Sequence, residues 1–255
     1  MEEQNGKRRI RFNKRIIRRN ILIMATVILV VFVIIKFIIP KKETTSNTNT
    51  VEVAKVSKTN IEENNNIIAK EQLDWKLTLV NQANKLPENY EMKLSSIDQY
   101  RKFDSRAIQY LQDMIEDMRE DGVRNIWVQS SYRSVEEQEV VYNNKVKYYK
   151  EQGKTQKEAE RLTEETINKP GHSEHSLGLA VDFNYVNGEF EETKAFKWLK
   201  ENGEDYGFIL RYPKEKENIT KVTYEPWHWR YVGKENAKKI NELGMCLEEY
   251  VEEIK

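Results

Sequence analysis

Three histidines occur in 255 residues, and all of them fall in two short segments. His172 and His175 stand in Gly171-His172-Ser173-Glu174-His175-Ser176-Leu177-Gly178-Leu179-Ala180-Val181-Asp182, and His228 in Tyr224-Glu225-Pro226-Trp227-His228-Trp229-Arg230-Tyr231. Neutral imidazole is the commonest protein ligand for zinc, and a catalytic zinc takes three protein ligands while keeping one position open for water. Two histidines and one aspartate, Asp182, meet that count, and Glu225 is left free nearby. Taken singly, each histidine reads more readily as a satisfied core residue, and Asp182 as a turn cap. The absence of imidazole elsewhere in the chain shifts the balance towards a shared site.

His175 and Asp182 are seven residues apart, and His228 follows 46 residues after Asp182. Such ligands converge through the fold, unlike the single-helix H-E-x-x-H arrangement. Glu225 lies three residues before His228, with Pro226 between them. In a regular strand those two side chains would point to opposite faces, and the proline permits a kink that turns both to one point. A glutamate left unligated beside zinc can take a proton from water attacking a carbonyl. An exposed strand-end carboxylate is the competing reading. Arg133, in Ser130-Ser131-Tyr132-Arg133-Ser134 between an expected strand and helix, could hold a substrate carboxylate bidentately or polarise a scissile carbonyl. Most arginines at such junctions do neither. Trp227, Trp229 and Tyr231 read as core and cleft wall.

The elements that must position these groups begin near Trp75. Ile108, Leu111, Met114, Ile115 and Met118 recur at helical spacing and predict a helix over 107–119, ended by Asp121-Gly122. A strand is expected over 125–130, then half-exposed helices over 135–152 and 155–166. Leu77 to Val80 reads as a short strand or an extended lead-in. Residues 177–185 alternate, with Leu177, Leu179, Val181 and Phe183 on one face and Gly178, Ala180 and Asp182 on the other. A helix over 193–200 and a strand over 222–232, irregular at Pro226, complete the expectation. Helices mixed with antiparallel-looking strands imply an α+β fold.

The N-terminal quarter has a different character. Residues 1–20 carry eight basic residues against Glu2 and Glu3, and residues 21–39 are apolar except for Thr26 and Lys36. Nineteen helical residues span roughly 28 Å, enough for a bilayer core of about 30 Å. The basic flank predicts a cytoplasmic N-terminus, and Pro40-Lys41-Lys42-Glu43 is a poor site for signal-peptide cleavage. The expected organisation is a cytoplasmic stub (1–20), a transmembrane anchor (21–39), a polar spacer (40–70) and a globular domain (71–255) on the outer face. Residues 41–255 hold 33 basic and 40 acidic residues. That acidic balance argues against a nucleic-acid partner. Cys246 is the only cysteine, so no intramolecular disulfide can form. Export without disulfides fits a bacterial envelope protein.

The motif S-x-H-x-x-G-x-A-x-D is present at Ser173, His175, Gly178, Ala180 and Asp182, and E-x-W-H at Glu225, Trp227 and His228. Ser131-Tyr132-Arg133-Ser134 with Gln138, Leu79-Val80-Asn81 with Leu86-Pro87, and Tyr206-Gly207-Phe208 with Arg211-Tyr212-Pro213 accompany them. Over residues 75–245 the chain resembles the VanY-type D-alanyl-D-alanine carboxypeptidases, within the zinc metallopeptidase group that includes lysostaphin-like enzymes and hedgehog domains. The resemblance implies a compact α+β domain with a central antiparallel sheet flanked by helices. It implies one zinc held by His175, Asp182 and His228, with Glu225 as general base and Arg133 steadying the substrate. Ser173 and Gln138 would line the cleft, and His172 would stand outside the metal's ligand set. The implied activity is removal of the terminal D-alanine from peptidoglycan stem peptides by a monomeric enzyme. An L,D-carboxypeptidase, a dipeptidase, a cross-link endopeptidase and a silent zinc-binding wall module remain as alternatives.

Overall fold

Helix α1 (Ile108–Glu120) forms where the apolar spacing predicts it and buries Leu111, Met114, Ile115 and Met118. The structure is a computed structural model that describes residues 75–254. The basic stub, the apolar run at 21–39 and the spacer lie outside those residues. Among the described residues no helix is long and apolar enough to cross a membrane.

Two antiparallel sheets lie beside α1. Strands β1 (Leu94–Ser96) and β2 (Lys102–Asp104) form a small hairpin. The central sheet has the order β3-β4-β6-β5, from β3 (Val128–Ser130), β4 (Ala180–Phe183), β5 (Phe208–Leu210) and β6 (His228–Tyr231). Every pairing in it is antiparallel. Val181, Phe183, Trp229 and Tyr231 join the main core with Phe103, Leu111, Met114 and Met118. Alternate positions on β4 and β6, including Asp182, His228 and Arg230, therefore face the other way. Residues of that polar face are buried along with those of the apolar one, all eight positions of β4 and β6 being buried.

Helices α2 (Val135–Glu151) and α3 (Gln156–Glu164) form a hairpin whose starts are written locally. Ser134 with Glu137, and Thr155 with Glu158, make reciprocal capping boxes that satisfy orphan amides at each N-terminus. Tyr142, Val146 and Ala159 give the hairpin a small core of its own. Helix α4 (Lys194–Asn202) packs Trp198 and Leu199 into the main core. After one turn of helix, α5 (Glu217–Thr220), the chain ends in α6 (Lys234–Leu243) and α7 (Leu247–Glu253). These last two share a second cluster with Ile209 and Val232.

The α+β architecture is as expected, but the strands are shorter than the alternation implies. The run 177–185 is strand only over Ala180–Phe183, because Glu174–Leu177 winds into a 3-10 turn closed by Gly178. Gly178 sits at φ 71, and a Cβ there would come within 3.0 Å of the Leu94 side chain and 3.4 Å of the Asp104 amide. The run 222–232 becomes strand only from His228, since Pro226 cannot donate to a ladder and the preceding residues turn. The run 125–130 shortens to Val128–Ser130, because the Asn184 side chain, at a residue with φ 52, takes the Trp127 amide and the Asn125 carbonyl in place of ladder bonds. Leu77 to Val80 is an extended lead-in rather than a strand.

Candidate active site

Strand register brings two of the expected ligands face to face. Asp182 on β4 stands directly opposite His228 on β6, and on its other side opposite Ser130 of β3. His175 reaches the same point from the 3-10 turn that leads into β4. One potential donor atom from each of His175, Asp182 and His228 lies within 4.8 Å of the others, and all three residues are buried. His175 Nε2 is 3.2 Å from Asp182 Oδ2, and His228 Nδ1 is 3.1 Å from Asp182 Oδ1.

The two imidazoles are turned in opposite senses. His175 Nδ1 donates to the Ser131 carbonyl at 2.7 Å, which leaves Nε2 facing Asp182. His228 presents Nδ1 to Asp182, and its Nε2 points away, towards Glu174 Oε2 at 3.7 Å. Asp182 Oδ1 has no hydrogen-bond donor, an unusual state for a buried carboxylate oxygen. A divalent ion between these three residues would satisfy it. Two imidazole nitrogens and one carboxylate oxygen are a donor set suited to zinc.

Glu225 lies beside the group of His175, Asp182 and His228 and outside it. The turn before β6 is closed by a hydrogen bond from the His228 amide to the Glu225 carbonyl at 3.2 Å. The kink at Pro226 thus brings Glu225 Oε2 to 3.5 Å from His228 Nδ1. Burial pushes the Glu225 carboxyl up to about 8, and the Asp182 charge adds to the rise while His228, Arg133 and Arg211 oppose it. Asp182 is buried too, but the two histidines overcome that and hold it well below the usual carboxylate range. Asp182 is thus a carboxylate suited to hold a cation, while Glu225 takes up a proton readily. Burial lowers His175. Burial also works against a charged His228, yet the facing carboxylates of Asp182 and Glu174 lift it to about 9. A metal binding there must displace that proton.

A cleft of about 280 Å³ opens over the centre, lined by Ser130, Arg133, Gln138, Asn168, Ser173 and Trp227 among others. Arg133 donates through Nη1 to Gln138 Oε1 at 2.8 Å and through Nη2 to Ser130 Oγ at 2.9 Å. Gln138 is almost fully buried, and its Nε2 donates to the Asn168 carbonyl at 2.6 Å. Its amide is therefore engaged with the protein at both ends, and it acts on the cleft by fixing Arg133. Ser173 lines the cleft wall and accepts the His175 amide at 3.4 Å. His172 stands apart from the centre, with Nδ1 bound to the Asn81 carbonyl at 2.8 Å.

Spacing alone passed over Glu174, Arg211, Tyr212 and Arg230. Glu174 is buried between two arginines, and the Tyr212 ring packs on His228 with centroids 4.9 Å apart. The available signal was a carboxylate placed between Ser173 and His175 with no water-facing role.

Comparison with known proteins agrees with this geometry. A D-alanyl-D-alanine carboxypeptidase of Enterococcus faecalis is 43% identical over 216 residues, spanning 84% of this chain and 78% of its own. A solved VanYB structure in complex with D-alanine-D-alanine superposes with a TM-score of 0.65 at 43% identity, covering 71% of this chain and 99% of that one. A solved VanY D,D-pentapeptidase variant in complex with Zn(II) gives a TM-score of 0.63 at 43% identity, covering 69% and 99%. The family model for VanY D-alanyl-D-alanine carboxypeptidase matches residues 100–234, which include every residue of the centre. The chain belongs to the VanY family of D-alanyl-D-alanine carboxypeptidases, zinc-dependent peptidases, and its His175, Asp182 and His228 form a buried group that could hold a metal ion.

Proposed function

We propose that this chain removes the terminal D-alanine from peptidoglycan stem peptides or their precursors, with His175, Asp182 and His228 holding the zinc. The observation that carries this reading is the convergence of those three residues with Glu225 aimed at the same point. Zinc held there supplies Lewis-acid polarisation of the scissile carbonyl and lowers the pKa of an attacking water to around 7. The remaining work falls to the chain's own groups. Glu225 accepts the proton of the attacking water on its carboxylate and passes it to the leaving amine. Its raised affinity for protons suits both transfers near neutral pH. Arg133, tethered by Gln138 and Ser130, keeps unused N–H donors for the substrate's carbonyl or terminal carboxylate.

The basic stub and the apolar run at 21–39 support a single-pass anchor with the catalytic domain on the outer face, where peptidoglycan lies. The domain acts as a monomer in this reading. Mass spectrometry of defined substrates, with and without chelator, tests the activity. Chelator-sensitive release of D-alanine from pentapeptide is expected. Cleavage confined to tetrapeptide, free D-alanyl-D-alanine or cross-linked muropeptides would instead assign an L,D-carboxypeptidase, a dipeptidase or an endopeptidase. No turnover of any of them would leave a silent zinc module. Protease added to intact cells should remove the domain if the topology is right.

A further inference from the structure

The buried charges behind His228 form a chain that runs from the catalytic centre to the C-terminal helix. Glu174 Oε1 accepts from Arg211 Nε at 2.8 Å and from Arg230 Nη1 at 2.7 Å. Arg211 is in turn gripped by Glu248 of α7, through Nη1 at 2.8 Å and Nη2 at 2.6 Å. Arg230 gives its other donors to backbone carbonyls, those of Tyr231, Lys76 and Thr78. Both arginines are wholly inaccessible.

Two arginines and two carboxylates balance in charge, so the cluster needs nothing more for neutrality. Its hydrogen bonding is nevertheless lopsided. Both arginines converge on Oε1 of Glu174, and Oε2 receives no donor at all. A carboxylate recruited only to neutralise buried arginines would offer both oxygens, because an unpartnered buried oxygen is costly. The other unpartnered atom here is Nε2 of His228, 3.7 Å from that oxygen. Each is the missing partner of the other, and a shift of under 1 Å makes the bond.

We propose that Glu174 is a positioning residue for the zinc centre: it accepts the Nε2–H of His228, fixing the tautomer that offers Nδ1 to the metal, while Arg211 and Arg230 hold its carboxylate in place. This inference rests on the zinc-site reading above. The two histidine ligands are then held unequally, His175 by the neutral Ser131 carbonyl and His228 by a carboxylate. A carboxylate partner raises the basicity of a ligating imidazole, and loss of such partners typically costs 10–100-fold in metal affinity.

The chain has three histidines, so nitrogen-15 labelling of histidine gives spectra simple enough to assign. In the zinc-loaded protein, His228 is expected to bind through Nδ1 and keep a slowly exchanging Nε2 proton, with His175 showing the reverse. Binding of His228 through Nε2 would overturn the inference alone. If zinc leaves the His228 ring unperturbed, the zinc-site reading itself fails. Zinc affinity, measured by chelator competition, should fall at least tenfold in Glu174→Gln and stay within threefold of the parent in Glu248→Gln. The latter breaks the same charge chain two links further from the metal. An unchanged affinity in folded Glu174→Gln, or an equal loss in Glu248→Gln, would refute the positioning role. If Glu174→Gln does not fold, the His228 tautomer in the parent protein decides the matter.

Discussion

The two walls of the cleft are built by opposite strategies. On one side, the α2–α3 hairpin is specified by signals a few residues apart: two capping boxes, an apolar stripe and a mostly exposed outer face. On the other, β4 and β6 have four residues each, all buried, and hold their place through strand partners 19 to 55 positions away. The reactive groups sit on the second wall or in the turns leading into it. The hairpin contributes Gln138, which steadies Arg133. Metal chemistry needs ligands fixed to tenths of an ångström, and a doubly buried sheet supplies that rigidity where a half-exposed hairpin does not.

Removing a ligand from the sheet wall should have the largest effect. His228→Ala is expected to lose both zinc and turnover, and full zinc occupancy by elemental analysis would sink the ligand set. Glu225→Ala should separate the two properties, keeping zinc while kcat falls by about 10²–10⁴-fold. Normal hydrolysis by that variant would show that another group is the base. On the hairpin wall the effects should be smaller. Gln138→Ala frees one end of the Arg133 guanidinium, and kcat/KM should drop by about tenfold with zinc affinity unchanged. Smallest of all is Thr155→Ala, which removes an exposed cap far from the chemistry. It should cost about 1 kcal/mol in thermal or denaturant unfolding and leave turnover as it was. A loss of activity in Thr155→Ala would mean that the two walls are coupled more tightly than their separate packing suggests.

The same contrast governs what could be read from the sequence. The hairpin helices and α1 were legible because caps and apolar periodicity are local. The three candidate ligands could be picked out because His175 and Asp182 share one short segment and His228 shares another with Glu225. The strand limits were overread, since the alternation over 177–185 starts at Leu177, where the backbone is still coiling and is closed off by Gly178. Helices α6 and α7 went unanticipated because their sequences are strongly charged, and burial of Ala237, Ile240, Leu247 and Tyr250 becomes meaningful only against Ile209 and Val232. Glu174 went unnoticed for a related reason. Its partners Arg211 and Arg230 lie 37 and 56 residues away, and only the folded chain joins them.

The pairing of Asp182 with both Ser130 and His228 also bears on when the centre comes into being. A slip of one residue in either pairing would turn Asp182 or its partner to the opposite face. Residues 52 and 46 positions apart must therefore meet in the correct register before three donors exist in one place. Such contacts of high sequence separation form late and slowly. Zinc should consequently act as a latch and not as a nucleus. Stripping it is expected to speed unfolding in stopped-flow experiments while the refolding rate stays the same.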